Sequence, residues 1–279
     1  MLPLILLDDW LKRALQEDLG TGDVTTDLLI DSGQQGKAVM LAKESFVLAG
    51  LDVAIRTFTL LSPLVKAPSR LEDGQLVKAG TALLTLEGPL AALLSGERVA
   101  LNILQHLSGV ATLTRRYVDA VAGTGVKILD TRKTLPGLRV LEKYAVKTGG
   151  GTNHRSSLSE GVLIKENHIQ AAKGIRQAVE RIKIGAPHTL RVEVEASTLE
   201  EVEEALDAGV DAILLDNMSN EMIRQAVKRV RGTVKLEVSG GVNLETVRDI
   251  AETGIDWISV GRLTHSAPGV DISMMLEKV

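Results

Sequence analysis

The side chains best suited to chemistry fall in six short clusters in the second half of this 279-residue chain: Asp130-Thr131-Arg132-Lys133, Lys165-Glu166-Asn167-His168, Glu193 with Glu195, Asp216-Asn217, Ser239-Gly240-Gly241, and Gly261-Arg262. Charge is sorted along them. Between Lys127 and Lys165 there are eight basic and three acidic residues, and between Glu193 and Asp216 nine acidic and no basic ones. Arg132, Lys133, Arg139, His154, Arg155 and Lys165 would make a cationic pocket, and guanidinium forks match carboxylates and phosphates two oxygens at a time. Glu195 and Asp216 suit Mg²⁺ or sugar hydroxyls. Ser239-Gly240-Gly241 and Gly261 offer backbone N–H groups with little side chain in the way, a cradle for phosphate. The set describes a site for an activated phosphosugar and an anionic acceptor. Five of the nine acids (Glu200, Glu201, Glu203, Glu204 and Asp207) read instead as the solvated face of a helix.

A repeating βα pattern would position these clusters. Val-, Ile- and Leu-rich runs at 126–130, 162–165, 190–195, 212–216, 235–238 and 257–260 predict strands, and each ends in or leads into one of the clusters. Stretches 198–208, 221–230 and 244–252 have helical periodicity, with Gly185, Gly209, Gly232 and Gly254 where helices should stop. Such repeats imply a parallel sheet with right-handed crossovers. The expected fold class is α/β, an incomplete α/β barrel whose strand ends share one mouth; an open doubly wound sheet is the competitor. The first hundred residues differ. They predict an amphipathic helix at 8–18, a strand pair within 36–50, a helix at 51–61, a strand at 81–87 and a helical run over 95–122. The stretch from Asp73 to Thr81 has the cadence of a lipoyl-type hairpin presenting Lys78, although a structural turn is the plainer reading.

Composition narrows the function classes. Hydrophobic residues make up 44% of the chain but only two each of Trp, Tyr and Phe occur, so the core must be aliphatic and base stacking has few platforms. The net charge of −4 argues against broad nucleic-acid binding. The absence of cysteine excludes disulfides, zinc–thiolate and iron–sulfur sites and thiol nucleophiles. No apolar run reaches the ~18 residues of a membrane span. The expected location is the cytoplasm, with no membrane or nucleic-acid partner.

Several segments, in order along nearly the whole chain, resemble quinolinate phosphoribosyltransferase (nicotinate-nucleotide pyrophosphorylase, carboxylating). They are Glu17-Asp18-Leu19-Gly20, Gly96-Glu97-Arg98, Thr131-Arg132-Lys133-Thr134, Lys143-Tyr144-Ala145-Val146, Gly149-Gly150-Gly151-Thr152-Asn153-His154-Arg155, Lys165-Glu166-Asn167-His168, Glu193-Val194-Glu195, Leu215-Asp216-Asn217-Met218, Glu237-Val238-Ser239-Gly240-Gly241 and Ser259-Val260-Gly261. The resemblance implies an N-terminal α/β sandwich domain over 1–104 and an incomplete, seven-stranded α/β barrel over 105–265, with the tail 266–279 packing on the first domain. It implies a homodimer, or a higher assembly, in which Arg98 reaches into the partner's site. The reaction would be quinolinate plus phosphoribosyl pyrophosphate giving nicotinate mononucleotide, pyrophosphate and CO₂, with Mg²⁺, in NAD biosynthesis.

Carried over residue by residue, Arg132, His154, Arg155 and Lys165 would bind the quinolinate carboxylates, with Thr131 beside them. Lys133, Glu195 and Asp216 would meet the phosphoribosyl pyrophosphate, its Mg²⁺ or the ribose, the two carboxylates touching the metal directly or through water or pyrophosphate. Ser239, Gly240, Gly241, Val260, Gly261 and Arg262 would hold the 5′-phosphate. Lys133, Lys165, Glu195 and Asp216 are the expected catalytic set. Two positions depart from the family pattern: Arg262 stands where a small residue is usual, and Leu135 replaces a common Thr. A paralogous group linked to molybdenum transport shares the Thr-Arg-Lys-Thr segment but lacks the Lys-Glu-Asn-His run that is intact here. A Schiff base on Lys165 and a phosphosugar-binding barrel without catalysis are the alternatives. His106, His188 and His265 have no metal-ligand spacing and are expected in core or surface roles.

Overall fold

The computed structural model describes residues 4–277. In chain order its elements are α1 (Asp8–Leu19), α2 (Val24–Leu29), β1 (Gln35–Ala42), β2 (Phe46–Val47), α3 (Leu51–Leu61), β3 (Lys66–Arg70), β4 (Leu76–Val77), β5 (Ala82–Pro89), α4 (Leu90–Ala120), β6 (Lys127–Leu129), α5 (Arg139–Thr148), β7 (Val162–Ile164), α6 (Glu166–Ala172), α7 (Ile175–Gly185), β8 (Val192–Ala196), α8 (Leu199–Asp207), β9 (Ala212–Asp216), α9 (Asn220–Val230), β10 (Lys235–Ser239), α10 (Val247–Ala251), β11 (Trp257–Ser259), α11 (Arg262–His265) and β12 (Ile272–Leu276). They divide into two units, one of Met1–Leu113, Pro136–Gly149 and Ser266–Val279, the other of Thr114–Leu135 and Gly150–His265. The sequence reading sets boundaries after residues 104 and 265 and joins the tail 266–279 to the first domain. The observed first unit also runs on to Leu113 and includes 136–149.

The first unit holds an antiparallel sheet in the order β12-β1-β5-β3 and a small pair of β2 with β4. In β1 every second side chain is buried, with Ala38, Met40 and Ala42 fully so. Sheet alternation thus puts one face on the core with Phe46, Phe58, Leu83, Leu86, Leu93 and Leu104. The strand pair expected within 36–50 is two strands that pair elsewhere. β1 lies between β5 and β12, with Met40 opposite Leu84 on one side and Met274 on the other, whereas β2 pairs with β4. A central strand needs ladder partners on both edges, and these come from distant parts of the chain. Lys78 follows β4 in an ordinary turn, its N–H donating to Thr81 Oγ1 at 3.3 Å. Asp73, three residues before β4, accepts the Gly50 and Leu51 N–H groups at 2.7 and 3.2 Å and so caps α3.

The second unit is built on a parallel sheet in the order β6-β11-β10-β9-β8-β7. These are the six strands that the sequence reading places. Among the described residues this sheet has six strands, and an isolated parallel bridge joins Thr152 to Leu129. Helix starts follow local chemistry. Thr198 and Glu201 form a reciprocal capping box on α8, and Ser219 accepts the Met222 N–H on α9. Gly209, Gly232 and Gly254 take positive φ just past α8, α9 and α10, as helix stops should; Gly185 is instead the last residue of α7 and does not.

Candidate active site

Side-chain alternation along the parallel strands delivers the clusters to one place. Ile164, Val194, Ile213, Leu215, Val238 and Ile258 are buried. The residues of opposite parity line a cavity of about 800 Å³: Leu163 and Lys165, Glu195, Leu214 and Asp216, Glu237 and Ser239, Ser259 and Gly261. Thr131, Arg132, Lys133, His154 and Arg155 join from the segments after β6 and around Thr152, and Gly240, Gly241, Val260 and Arg262 from the strand ends. Arg98 lies in α4 and Arg139 begins α5, both in the first unit, and neither lines the cavity. The cationic lining therefore consists of Arg132, Lys133, His154, Arg155, Lys165 and Arg262, without Arg139.

The cavity wall is held by a dense polar network. Lys165 Nζ donates to Glu195 Oε2 at 3.0 Å, which joins the ends of β7 and β8. The Lys165 backbone N–H donates to His168 Nδ1 at 3.0 Å, so His168 serves the start of α6 and fixes the backbone beneath Lys165. Asp130, fully buried, accepts the His154 N–H at 2.8 Å and ties the 150–155 segment to the end of β6. His154 Nε2 lies 3.2 Å from Glu193 Oε2 and 3.7 Å from Glu237 Oε2, while its Nδ1 accepts the Arg155 N–H at 2.7 Å. With Nδ1 accepting, the imidazole proton sits on Nε2 and faces the two carboxylates. Arg155 in turn donates to the Gly161 carbonyl at 2.8 Å.

A buried acidic layer underlies this cationic wall. Glu193 and Glu237 are 8% and 1% exposed, and the Oε1 atom of each is buried without a hydrogen-bond partner. Burial and the neighbouring Glu193 carboxylate push the Glu237 carboxyl up to about 7, against the pull of His154 and of a Ser259 hydrogen bond, with Asp130 adding to the rise. Burial, then Arg132, lower the pKa of the Arg155 guanidinium, which Glu193 opposes. The ligand atoms of His154, Glu193 and Glu237 lie within 4.8 Å of one another, close enough for a metal. Arg155 and Arg132 already bring positive charge to this corner, so the layer reads as counter-charge to the arginines.

The glycines are shaped by close approach. A Cβ on Gly261 would lie 2.8 Å from Lys133 Cδ and 3.4 Å from two ring atoms of His265. Gly240 and Gly241 take φ of +96° and +63°, and beyond Gly241 nothing lies within 4 Å of where a Cβ would be. The sequence reading leaves Glu237, Asn217, Asn243 and His265 without a site role, yet all four line the cavity. For Glu237 the signal is the period of two: it stands two residues before Ser239 on β10, as Glu193 stands two before Glu195 on β8, hence on the same face and one layer deeper. His265, expected in a core or surface role, reaches the cavity because Gly261 has no side chain to cover it.

Residues 110–275 match the family model described as quinolinate phosphoribosyl transferase, C-terminal domain, and residues 23–108 the model of its N-terminal domain. The chain belongs to the quinolinate phosphoribosyltransferase family. The nicotinate-nucleotide pyrophosphorylase (carboxylating) of Mycobacterium leprae is 43% identical over 274 residues, 96% of each chain. The chloroplastic protein of the same name from Arabidopsis thaliana is 40% identical over 286 residues, covering 96% of this chain and 82% of that one. The solved structure of NadC from Streptococcus pyogenes superposes with a TM-score of 0.96 at 44% identity, over 99% of this chain and 98% of that one. Arg262 opens α11 and lines the cavity, near enough to pull on the Tyr117 phenol, whose pKa burial raises.

Proposed function

We propose that this cavity transfers the phosphoribosyl group of phosphoribosyl pyrophosphate to quinolinate, with decarboxylation, giving nicotinate mononucleotide, pyrophosphate and CO₂ for NAD biosynthesis. One observation carries the reading. One cavity gathers four cations, Arg132, Lys133, Arg155 and Lys165, with two carboxylates, Glu195 and Asp216, and the side-chain-free turns at Ser239–Gly240–Gly241 and Gly261. The cations suit a planar dicarboxylate, and the carboxylates and bare turns a phosphosugar. Arg132, Arg155 and Lys165 hold the acceptor's carboxylates, with His154 and Thr131 beside them. Ser239, Gly240, Gly241, Val260, Gly261 and Arg262 hold the 5′-phosphate, and Lys133 meets the donor.

Catalysis by this chain is positioning and charge. Glu195 and Asp216 face the ribose side, where positive charge develops at the anomeric carbon as pyrophosphate leaves and the pyridine nitrogen attacks. The cationic ring that results gives up its 2-carboxylate as CO₂, the C–C electron pair passing to the ring carbon, which then takes a proton. The donor set fits Mg²⁺. Glu195 and Asp216 end adjacent strands, and each has one carboxylate oxygen tied, to Lys165 and to Asn217 respectively, leaving two hard oxygens for a cation that keeps waters and substrate phosphates around it. When bound there, the ion would neutralise pyrophosphate. We also assign a homodimer in which the partner's cavity receives Arg98, and a cytoplasmic location; among the described residues no helix is long and apolar enough to cross a membrane.

Incubation with quinolinate, phosphoribosyl pyrophosphate and Mg²⁺ should yield nucleotide and CO₂ in equal amounts. Nucleotide from nicotinate at the same efficiency, with no CO₂ from quinolinate, would replace the reading with a nicotinate-specific transferase. Donor binding without turnover would leave a binding barrel.

A further inference from the structure

Asn217 occupies an unusual position for a residue with no assigned role. Its φ is +54°, one of three positive values outside glycine among the described residues. The left-handed conformation is unfavourable for most side chains and less so for Asn, because its short amide bonds locally. Here the amide does so: Nδ2 donates to Asp216 Oδ2 at 2.7 Å. The backbone N–H of Asn217 continues the β9–β10 ladder by donating to the Ser239 carbonyl at 3.0 Å, one step beyond the Ser239–Asp216 pair. On its other side the same amide presses on the glycine turn. A Cβ on Gly240 would lie 2.1 Å from Asn217 Oδ1 and 2.6 Å from Cγ. One side chain therefore touches the carboxylate at the end of β9 and the Gly240 backbone at the end of β10, and all three line the cavity.

We propose that Asn217 is a positioning residue for the phosphoribosyl donor, its left-handed backbone and single amide setting the Asp216 carboxylate and the Gly240 turn in register with each other. The proposal rests on the donor reading of these cavity residues. By occupying Asp216 Oδ2, the amide fixes which carboxylate oxygen is left for the donor and its cation. By filling the space above Gly240, it holds the turn at φ +96° with its N–H groups spread for phosphate. Acceptor binding, which uses Arg132, Arg155 and Lys165, does not pass through Asn217.

Three variants separate the amide from the turn. Asn217→Gly keeps the positive φ at no cost but removes the amide. Asn217→Asp tolerates the same φ but sets a second carboxylate against Asp216. Asn217→Ala loses both amide and conformational ease. Gly and Asp should each raise KM for phosphoribosyl pyrophosphate on the order of ten-fold or more, the scale of one hydrogen bond to a charged group. Both should move the Mg²⁺ half-saturation upward, Asp furthest, while quinolinate binding measured calorimetrically without donor is unchanged. A Gly variant with unaltered donor KM and Mg²⁺ dependence, beside an Ala variant that loses only thermal stability, would overturn the proposal and leave Asn217 as a turn residue. An equal weakening of quinolinate binding in all three would overturn it as well. The donor reading fails separately, if the unaltered enzyme does not bind phosphoribosyl pyrophosphate.

Discussion

Glu237 shows how a single side chain can couple the fold to pH. Its carboxyl is raised to about 7 from an ordinary 4.5, chiefly by burial and then by Glu193. A raised acid binds its proton more tightly folded than unfolded, so it favours the fold at low pH, and that contribution fades as pH climbs from 4.5 through about 7. Glu237→Gln places a neutral amide of the same shape there. Urea unfolding from about pH 5 to about pH 8 should show a shallower decline for the variant, the difference reaching at most about 3 kcal/mol. A wild-type curve parallel to that of the variant would mean the proton is not held at Glu237. Lys165 makes the other residue-scale prediction. Its Nζ is engaged by Glu195 Oε2 at 3.0 Å. Lys165→Ala should lower kcat/KM for quinolinate roughly 30- to 100-fold, and borohydride should trap no substrate on the unaltered enzyme; trapping would restore the Schiff-base alternative.

At the scale of elements, α4 carries a position where packing leaves no latitude. Gly109 lies in the body of this 31-residue helix, and a Cβ there would fall 2.1 Å from the Pro268 carbonyl oxygen and 3.3 Å from Gly269 Cα. Backbone cannot yield as a flexible side chain does. Gly109→Ala should cost roughly 2–4 kcal/mol by displacing the 266–279 tail, whose β12 completes the antiparallel sheet beside β1. Thermal denaturation checks the size of the loss, and a stable variant would mean that the tail shifts freely. The helix itself is legible from its periodicity. The tail's return is not, because helix preference is local, whereas the close approach is decided by a segment about 160 residues away.

For the whole molecule, the prediction concerns assembly. Arg98 does not line the cavity of its own chain, whereas Arg155 does. A homodimer that exchanges Arg98 makes Arg98→Ala and Arg155→Ala complementary, since a mixed dimer retains one cavity with both arginines. Mixing the two inactive chains under exchange conditions should recover part of the activity, measured as CO₂ release. Heterodimers that form and stay inactive would show that no residue is shared.

Much of the site is legible in sequence because parallel strands translate a period of two directly into a face. Once the six runs are read as strands, Lys165, Glu195, Asp216, Ser239 and Gly261 must project to one side at their C-terminal ends, whatever the helices between them do. Family resemblance adds the roles but not the geometry. The tertiary structure alone decided that β1 sits between β5 and β12, that Arg139 does not line the cavity, that His154 turns its Nε2 toward two buried acids, and that the Asn217 amide spans Asp216 and Gly240. Each of these depends on partners distant in the chain, or on a backbone angle set by what packs against it. Local preference ranks the conformations a segment can adopt; hydrogen-bond pairing and close packing with remote segments select among them.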